Sequence, residues 1–241
     1  GGEKILLDFG MWPEEFKEKE FDQYVNDHLN DDKTTEGIFA PWMMYKSEFL
    51  SILGGHDPIM HSCREDSDLF NRMLLAGFNF IQPWNSLVYH LTGSFDGDPE
   101  RHSQWQKDMS NSTREFIRKW GSNVKHNKLM HPEVTPKYDI AFKVTNSNLK
   151  LLEALEPWCD VYYGDGHWIQ YSHYMNQEET YTKFTMDDRV KPNDSNLHDF
   201  NHGIVVEIDG HKFNQQDYEM IMILSEVLEE GGQVGEFEYG N

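Results

Sequence analysis

Between residues 63 and 78 the sequence runs CREDSDLFNRMLLAGF, and three of its acids, Glu65, Asp66 and Asp68, fall within four positions. Carboxylates so close together can take a proton from a hydroxyl, orient a polar ligand or help to hold a cation. They can equally begin a helix. Ser62 and Glu65 have the spacing of a capping box, and Asp66 and Asp68 would then occupy the first turn, where the positive end of the helix dipole favours them. Leu69, Phe70, Met73 and Leu74 recur at three- and four-residue steps, Asp68 can pair with Arg72 one turn on, and Gly77 is placed to end the helix.

The composition bounds what such a group can serve. The 241 residues carry 42 Asp and Glu against 21 Lys and Arg, a formal charge of -21, with no basic run, so a nucleic-acid partner is ruled against by repulsion from its phosphates. Aromatic residues make up 14%, enough for a packed core. Cys63 and Cys159 lack any CxxC spacing, which favours a reducing compartment over a disulfide framework or zinc site. No run of about 18 apolar residues spans a membrane, and GGEKILLDFG lacks the features of a signal peptide, so the expectation is a soluble, cytoplasmic protein.

The elements expected to position the acids are short. ILLDF reads as a strand, MWPEEFKEKEFDQYVNDHL as an acidic helix and KSEFLSIL as a short helix before the Gly54-Gly55 turn. FNFIQPWNSLVYH reads as strand, turn and strand, and STREFIRKWGSN as a helix ended by Gly121. Residues 122–137 are polar, hold two prolines and show no periodicity, which sets a boundary between a domain over 1–130 and another over 131–241. In the second, KYDIAFKVT, CDVYYGD, GIVVEIDG and QVGEFEYG read as strands, with helices over NSNLKLLEALEPW and NQQDYEMIMILSEVLEEGG. This β-α-β, insertion, β-α-β order predicts a ferredoxin-like α+β sheet, four-stranded and antiparallel, with nearly forty residues inserted from Gly166. Tyr218, Ile221, Met222, Leu224, Ser225 and Leu228 share one face of the long helix, whose apolar members should meet that sheet.

Taken together, GIFAPWMMYKSEFLSILGGHDP, REDSDLFNRMLLAG and VYHLTG resemble the C-terminal, acceptor-side part of GT-A type glycosyltransferases, especially family 2 enzymes and the β-1,4-galactosyltransferases. The likeness covers about 60 to 90 residues and extends to Lys119-Trp120-Gly121. It implies a partial GT-A region of α/β type, followed by the α+β domain. It also implies inverting transfer of a sugar from a nucleotide-sugar donor to a carbohydrate or glycan acceptor, with a manganese or magnesium ion in the complete enzyme. By the same resemblance Asp66 is the base that takes the acceptor proton and Glu65 orients the acceptor. Trp42, Gly54, Gly55, Asp68 and Arg72 fall to the substrate, and His90 to the metal. Aromatic faces pack on sugar C–H surfaces and glycine lets backbone approach closely.

Plain structural readings stand beside these. Trp42 is equally a core residue, and a single His such as His90 is commonly a satisfied surface or core group. His56 and Asp57 read as turn residues, while His167, His173, His198 and His202 lack metal-ligand spacing. The resemblance also has a gap. The donor-binding half of such enzymes ends in Asp-x-Asp after a strand, whereas Asp31-Asp32 and Asp187-Asp188 lie in polar loops, and nothing before residue 37 is long enough to be that half. Three possibilities follow: a piece of a longer enzyme, a donor half on another chain, or a non-enzymatic carbohydrate-binding or assembly protein that keeps the acidic helix as structure.

Overall fold

A computed structural model describes residues 7–61, 63–91, 99–193 and 201–231. They form two compact units that interleave along the chain. Unit one comprises Gly1–Met109 and Val124–Val134, and unit two Ser110–Asn123 and Thr135–Asn241. The polar stretch predicted as a single linker is therefore divided, its start and end in unit two and residues 124–134 in unit one.

Unit one is built of short elements. A 3-10 turn (Pro13–Glu15) precedes α1 (Glu18–His28), and β1 (Thr34–Thr35) precedes α2 (Lys46–Ser51), α3 (Glu65–Leu75) and β2 (Gln82–Pro83). β1 and β2 pair antiparallel over two residues each, so little of the predicted strand-turn-strand is realised. Side chains do much of the joining instead. Tyr89 donates to the Gly10 carbonyl (2.7 Å) and accepts from the Phe9 amide (3.0 Å), within a group formed by the rings of Phe9, Phe16 and Phe21. Segment 124–134 returns to this unit where the Ile38 amide meets the Met130 carbonyl at 3.1 Å. Gly37 makes that approach possible, since its φ is +124° and a Cβ there would lie 1.8 Å from the Leu129 carbonyl oxygen.

Unit two holds a four-stranded sheet. Helix α4 (Pro99–Trp120) contributes its C-terminal half to this unit, followed by β3 (Ile140–Thr145), α5 (Leu149–Leu155), a 3-10 turn (Glu156–Trp158), β4 (Val161–Gly164), α6 (Trp168–Glu178), α7 (Met186–Arg189), β5 (Val190–Pro192), β6 (Ile204–Asp209), α8 (Gln215–Met222) and α9 (Leu224–Gly231). The order across the sheet is β5-β4-β3-β6, and every pairing is parallel. The chain is thus of mixed α/β type, and the antiparallel ferredoxin-like sheet is corrected. The physical reason lies in the connections: β3 reaches β4 through α5, and β4 reaches β5 through α6 and α7, and helical crossovers of this kind return strands in the same direction. The stretch read as an insertion supplies α6, α7 and the third strand. The expected strand at QVGEFEYG lies outside the described residues, as do Ile5 and Leu6 of ILLDF, whose described residues Leu7 to Phe9 form no strand.

Parallel strands buried on both faces lose the alternation that marks half-exposed ones, and all four residues of β4, Val161 to Gly164, are buried. Ile140, Phe142 and Val144 of β3 join Leu152, Leu155, Tyr162, Tyr171, Val190, Ile208 and Ile221 in one core. Tyr218, Met222, Leu224 and Leu228 pack against it as the helical spacing predicts, although the expected single helix is broken at Ile223 into α8 and α9. Asn214 opens α8 with a complete capping box to Asp217.

Beneath this core lies a charged one. Glu156 has no accessible side-chain surface and receives bonds from Arg118, Arg189 and Arg114, with Tyr174 donating at 2.8 Å. Arg118 and Arg114 also bind Glu178. Burial pushes the Glu156 carboxyl upward, but the three guanidinium groups outweigh it and hold it down at about 2.

Candidate functional site

The acids of CREDSDLF do start a helix, though not by the predicted box. α3 begins at Glu65 after Arg64, whose φ is 69° and which makes no side-chain cap bond, so Glu65 is the first helical residue and cannot be the third residue that reaches back to Ser62. Ser62 itself lies outside the described residues. The other end follows the sequence closely. Gly77, at φ +81°, donates to the Leu74 carbonyl and Phe78 donates to that of Met73, the paired bonds of a Schellman motif.

Leu69, Phe70 and Met73 bury one face of α3 with Leu53 and Phe80, which fixes the rotation of the helix and hence where its first turn points. Asp68 falls on the buried side, fully inaccessible, while Glu65 and Asp66 are half-buried at the rim. Trp42 stands beside Asp66 and its Nε1–H reaches Asp66 Oδ1 over a long 3.4 Å. Its ring also packs near Phe49 (5.8 Å), His56 (5.9 Å) and Phe70 (6.3 Å). Trp42 thus has its ring packed among these side chains and its indole N–H at the carboxylate.

Asp68 and Arg72, expected at the substrate, do something else. Arg72 binds Asp68 Oδ2 at 2.8 Å, the Gly55 carbonyl at 2.8 Å and the Leu53 carbonyl. Gly54 and Gly55 both have left-handed φ, +70° and +83°. The pair thus clasps the glycine turn to α3, with the Asp68 side chain inaccessible and that of Arg72 partly exposed. Gly55 is buried against the Phe49 ring, and Gly54 is open. The clasp brings His56, read from the sequence as a mere turn residue, back over Trp42 and Phe49. Only its place directly after the glycine pair hinted at this.

Cys63 lies two residues before Glu65. Burial and then the Glu65 charge push its thiol up from its ordinary value, away from the thiolate. His90 is exposed, and among the described residues no three His, Cys, Asp or Glu side chains gather as a metal group. Among the described residues, therefore, no group fits a divalent cation. No family model, curated protein or solved structure matches the chain. Asp66 and its neighbours make up the candidate site: a carboxylate at a helix start, an indole N–H on one of its oxygens, and the Phe49 and His56 rings beside that indole.

Among the described residues no helix is long and apolar enough to cross a membrane.

Proposed function

We propose that unit one is the acceptor side of an inverting glycosyltransferase, in which Asp66 takes the proton from the attacking hydroxyl and Glu65 orients it. The observation that carries this reading is the Trp42 Nε1–H directed at Asp66 Oδ1. An aromatic ring whose polar edge meets a carboxylate offers a sugar a face for its C–H surface and an acceptor for its hydroxyl. The carboxylate keeps lone pairs beyond the one turned to Trp42, and the open Gly54 leaves space for a ligand to approach the backbone. The donor, a nucleotide sugar, and its manganese or magnesium ion are not served by residues described in unit one, so they belong to a complementary half.

A second reading, a non-enzymatic carbohydrate-binding or assembly protein, draws on the Asp68–Arg72 clasp, which gives one of the three acids a structural task. Two measurements separate them. Calorimetry of this chain with UDP and GDP sugars and manganese should show weak or no donor binding, because the acceptor side alone lacks cation ligands. In a longer chain or complex that supplies a donor half, nucleotide diphosphate release should be acceptor-dependent and fall roughly 100-fold in Asp66→Asn with donor binding retained, as expected for loss of a general base. Full turnover in that variant would remove Asp66 from the chemistry and leave the binding reading.

A further inference from the structure

In unit two the four parallel strands end along one edge, at Thr145, Gly164, Pro192 and Asp209. Carboxyl ends of parallel strands are where open α/β sheets bind ligands, most often where the strand order reverses. Here it reverses at β3, between β4 and β6, but that crevice is closed: Asn146 Nδ2 donates to Asp209 Oδ1 at 2.9 Å and the Gly210 amide to the Thr145 carbonyl at 2.8 Å. The opening lies one strand over. An open surface depression of about 310 Å³, lined by Gly164, Asp165, Gly166, Trp168, Pro192 and Asn193, sits where β4 and β5 end.

The chemistry of that lining is selective. Asp165 is held in place by the backbone amides of Asn146 (2.9 Å) and Ser147 (2.8 Å), one on each oxygen, and each oxygen retains acceptor capacity. Asn193 is fixed through its main chain, its amide donating to the Gly164 carbonyl at 3.0 Å, and its Nδ2 also donates to the Val144 carbonyl at 3.5 Å, which leaves one side-chain N–H and the Oδ1 for a ligand. Trp168 is 41% exposed, packed on Tyr171 along one side. The glycines keep the wall thin, since a Cβ on Gly166 would lie 2.2 Å from the Tyr171 hydroxyl. Among the described lining residues there is no Lys or Arg, and the first β-to-α turn, Thr145-Asn146-Ser147-Asn148, has no glycine and already caps α5 through the Asn148 side chain. A phosphate would meet the Asp165 carboxylate with nothing to neutralise it. A neutral ring bearing adjacent hydroxyls meets an aromatic face, a carboxylate and a carboxamide, each usable. The volume stands at the low end of the roughly 300–1,000 Å³ typical of small-molecule sites, the size for one or two sugar rings.

We infer that the carboxyl edge of β4 and β5 is a binding subsite for a neutral pyranose or furanose unit, stacked on Trp168 and hydrogen-bonded to Asp165 and Asn193. This does not depend on the role given to Asp66. The test is saturation-transfer NMR on the whole chain with glucose, galactose, mannose, N-acetylglucosamine, xylose and fucose as probes, with uridine monophosphate and inorganic phosphate titrated in parallel as anions. At least one sugar should show transfer that weakens about tenfold or more in Trp168→Ala and in Asn193→Ala, each first confirmed folded by circular dichroism, and that survives in Asp66→Asn. Two variants guard against one being lost to misfolding. The inference is overturned if none of these sugars shows transfer, if transfer persists undiminished in both unit-two variants, if it vanishes only in Asp66→Asn, or if the anions bind there in place of the sugars.

Discussion

The two units solve the same problem by different means. Unit two folds around a parallel ladder and a core of sixteen buried side chains, whereas the largest described cluster in unit one holds five, with half-buried aromatics around it. Both also bury a carboxylate against arginine. In unit one Arg72 uses Asp68 as an anchor and extends to two loop carbonyls, so the ion pair shapes a turn. In unit two the arginines converge on Glu156 from α4 and from α7, so the carboxylate gathers elements that the core already orders. The lesson is that where regular structure is scarce, side-chain bonds to backbone set the geometry of chemistry-bearing loops, and there a single substitution should change shape more than stability.

The sharpest way to break that contrast is Glu156→Gln. Three guanidinium groups would lose their shared charge in the interior, and removing one partner of a buried ion pair costs about 3–5 kcal/mol. Urea unfolding followed by far-UV circular dichroism should show it, and a loss below about 1 kcal/mol would mean that the network is dispensable. Acid titration sharpens the same point. The folded Glu156 carboxyl lies at about 2, below its ordinary 4.5, so its contribution is fully present above pH 4.5 and is lost as the pH falls from there through 2. The shift corresponds to about 3 kcal/mol at most, and the acid limb of a stability-against-pH curve should flatten in Glu156→Gln.

Arg72→Ala should cost less, roughly 1–3 kcal/mol, because it withdraws one partner from buried Asp68 and from two carbonyls. Its larger effect should be local: hydrogen exchange over residues 53–56 should accelerate while the β3 and β4 amides stay protected. Equal acceleration in both units would contradict the division of labour drawn above. The smallest effect belongs to Asn214→Ala, which removes the capping box of α8 and should lower stability by about 1 kcal/mol in thermal unfolding.

Which parts of this were legible in the sequence follows from how local their causes are. The span of α3, the glycine at its end, the strands around residues 140–145 and 204–209 and the packing face of α8 and α9 depend on neighbouring residues, and each was readable from spacing alone. The parallel direction of the sheet was not. It follows from which strands become neighbours, β4 and β6 on either side of β3 and the proline-containing β5 beside β4, and those pairings are long-range facts. At the site, the first-turn acids and the Asp68–Arg72 pair were readable as helix spacing. That Arg72 reaches Leu53 and Gly55, and that His56 returns to Trp42, depends on a loop path that carries no periodicity. The depression at Asp165 escaped because Gly-Asp-Gly reads simply as a turn until the strand ends are lined up beside it.

The interleaving of the units bears on inheritance. The chain passes from one unit to the other at residues 109, 123 and 134, so no single crossover between genes transfers either unit whole. A cut at residue 130, where the sequence alone would place it, would carry away Arg114 and Arg118 and leave Glu156 with Arg189 as its remaining arginine among those described. The fragment would carry a buried carboxylate stripped of most of its countercharge. The two units are therefore expected to have travelled through descent as one piece, duplicated or lost together, and recombinant libraries that swap either one need three coordinated junctions to yield folded offspring.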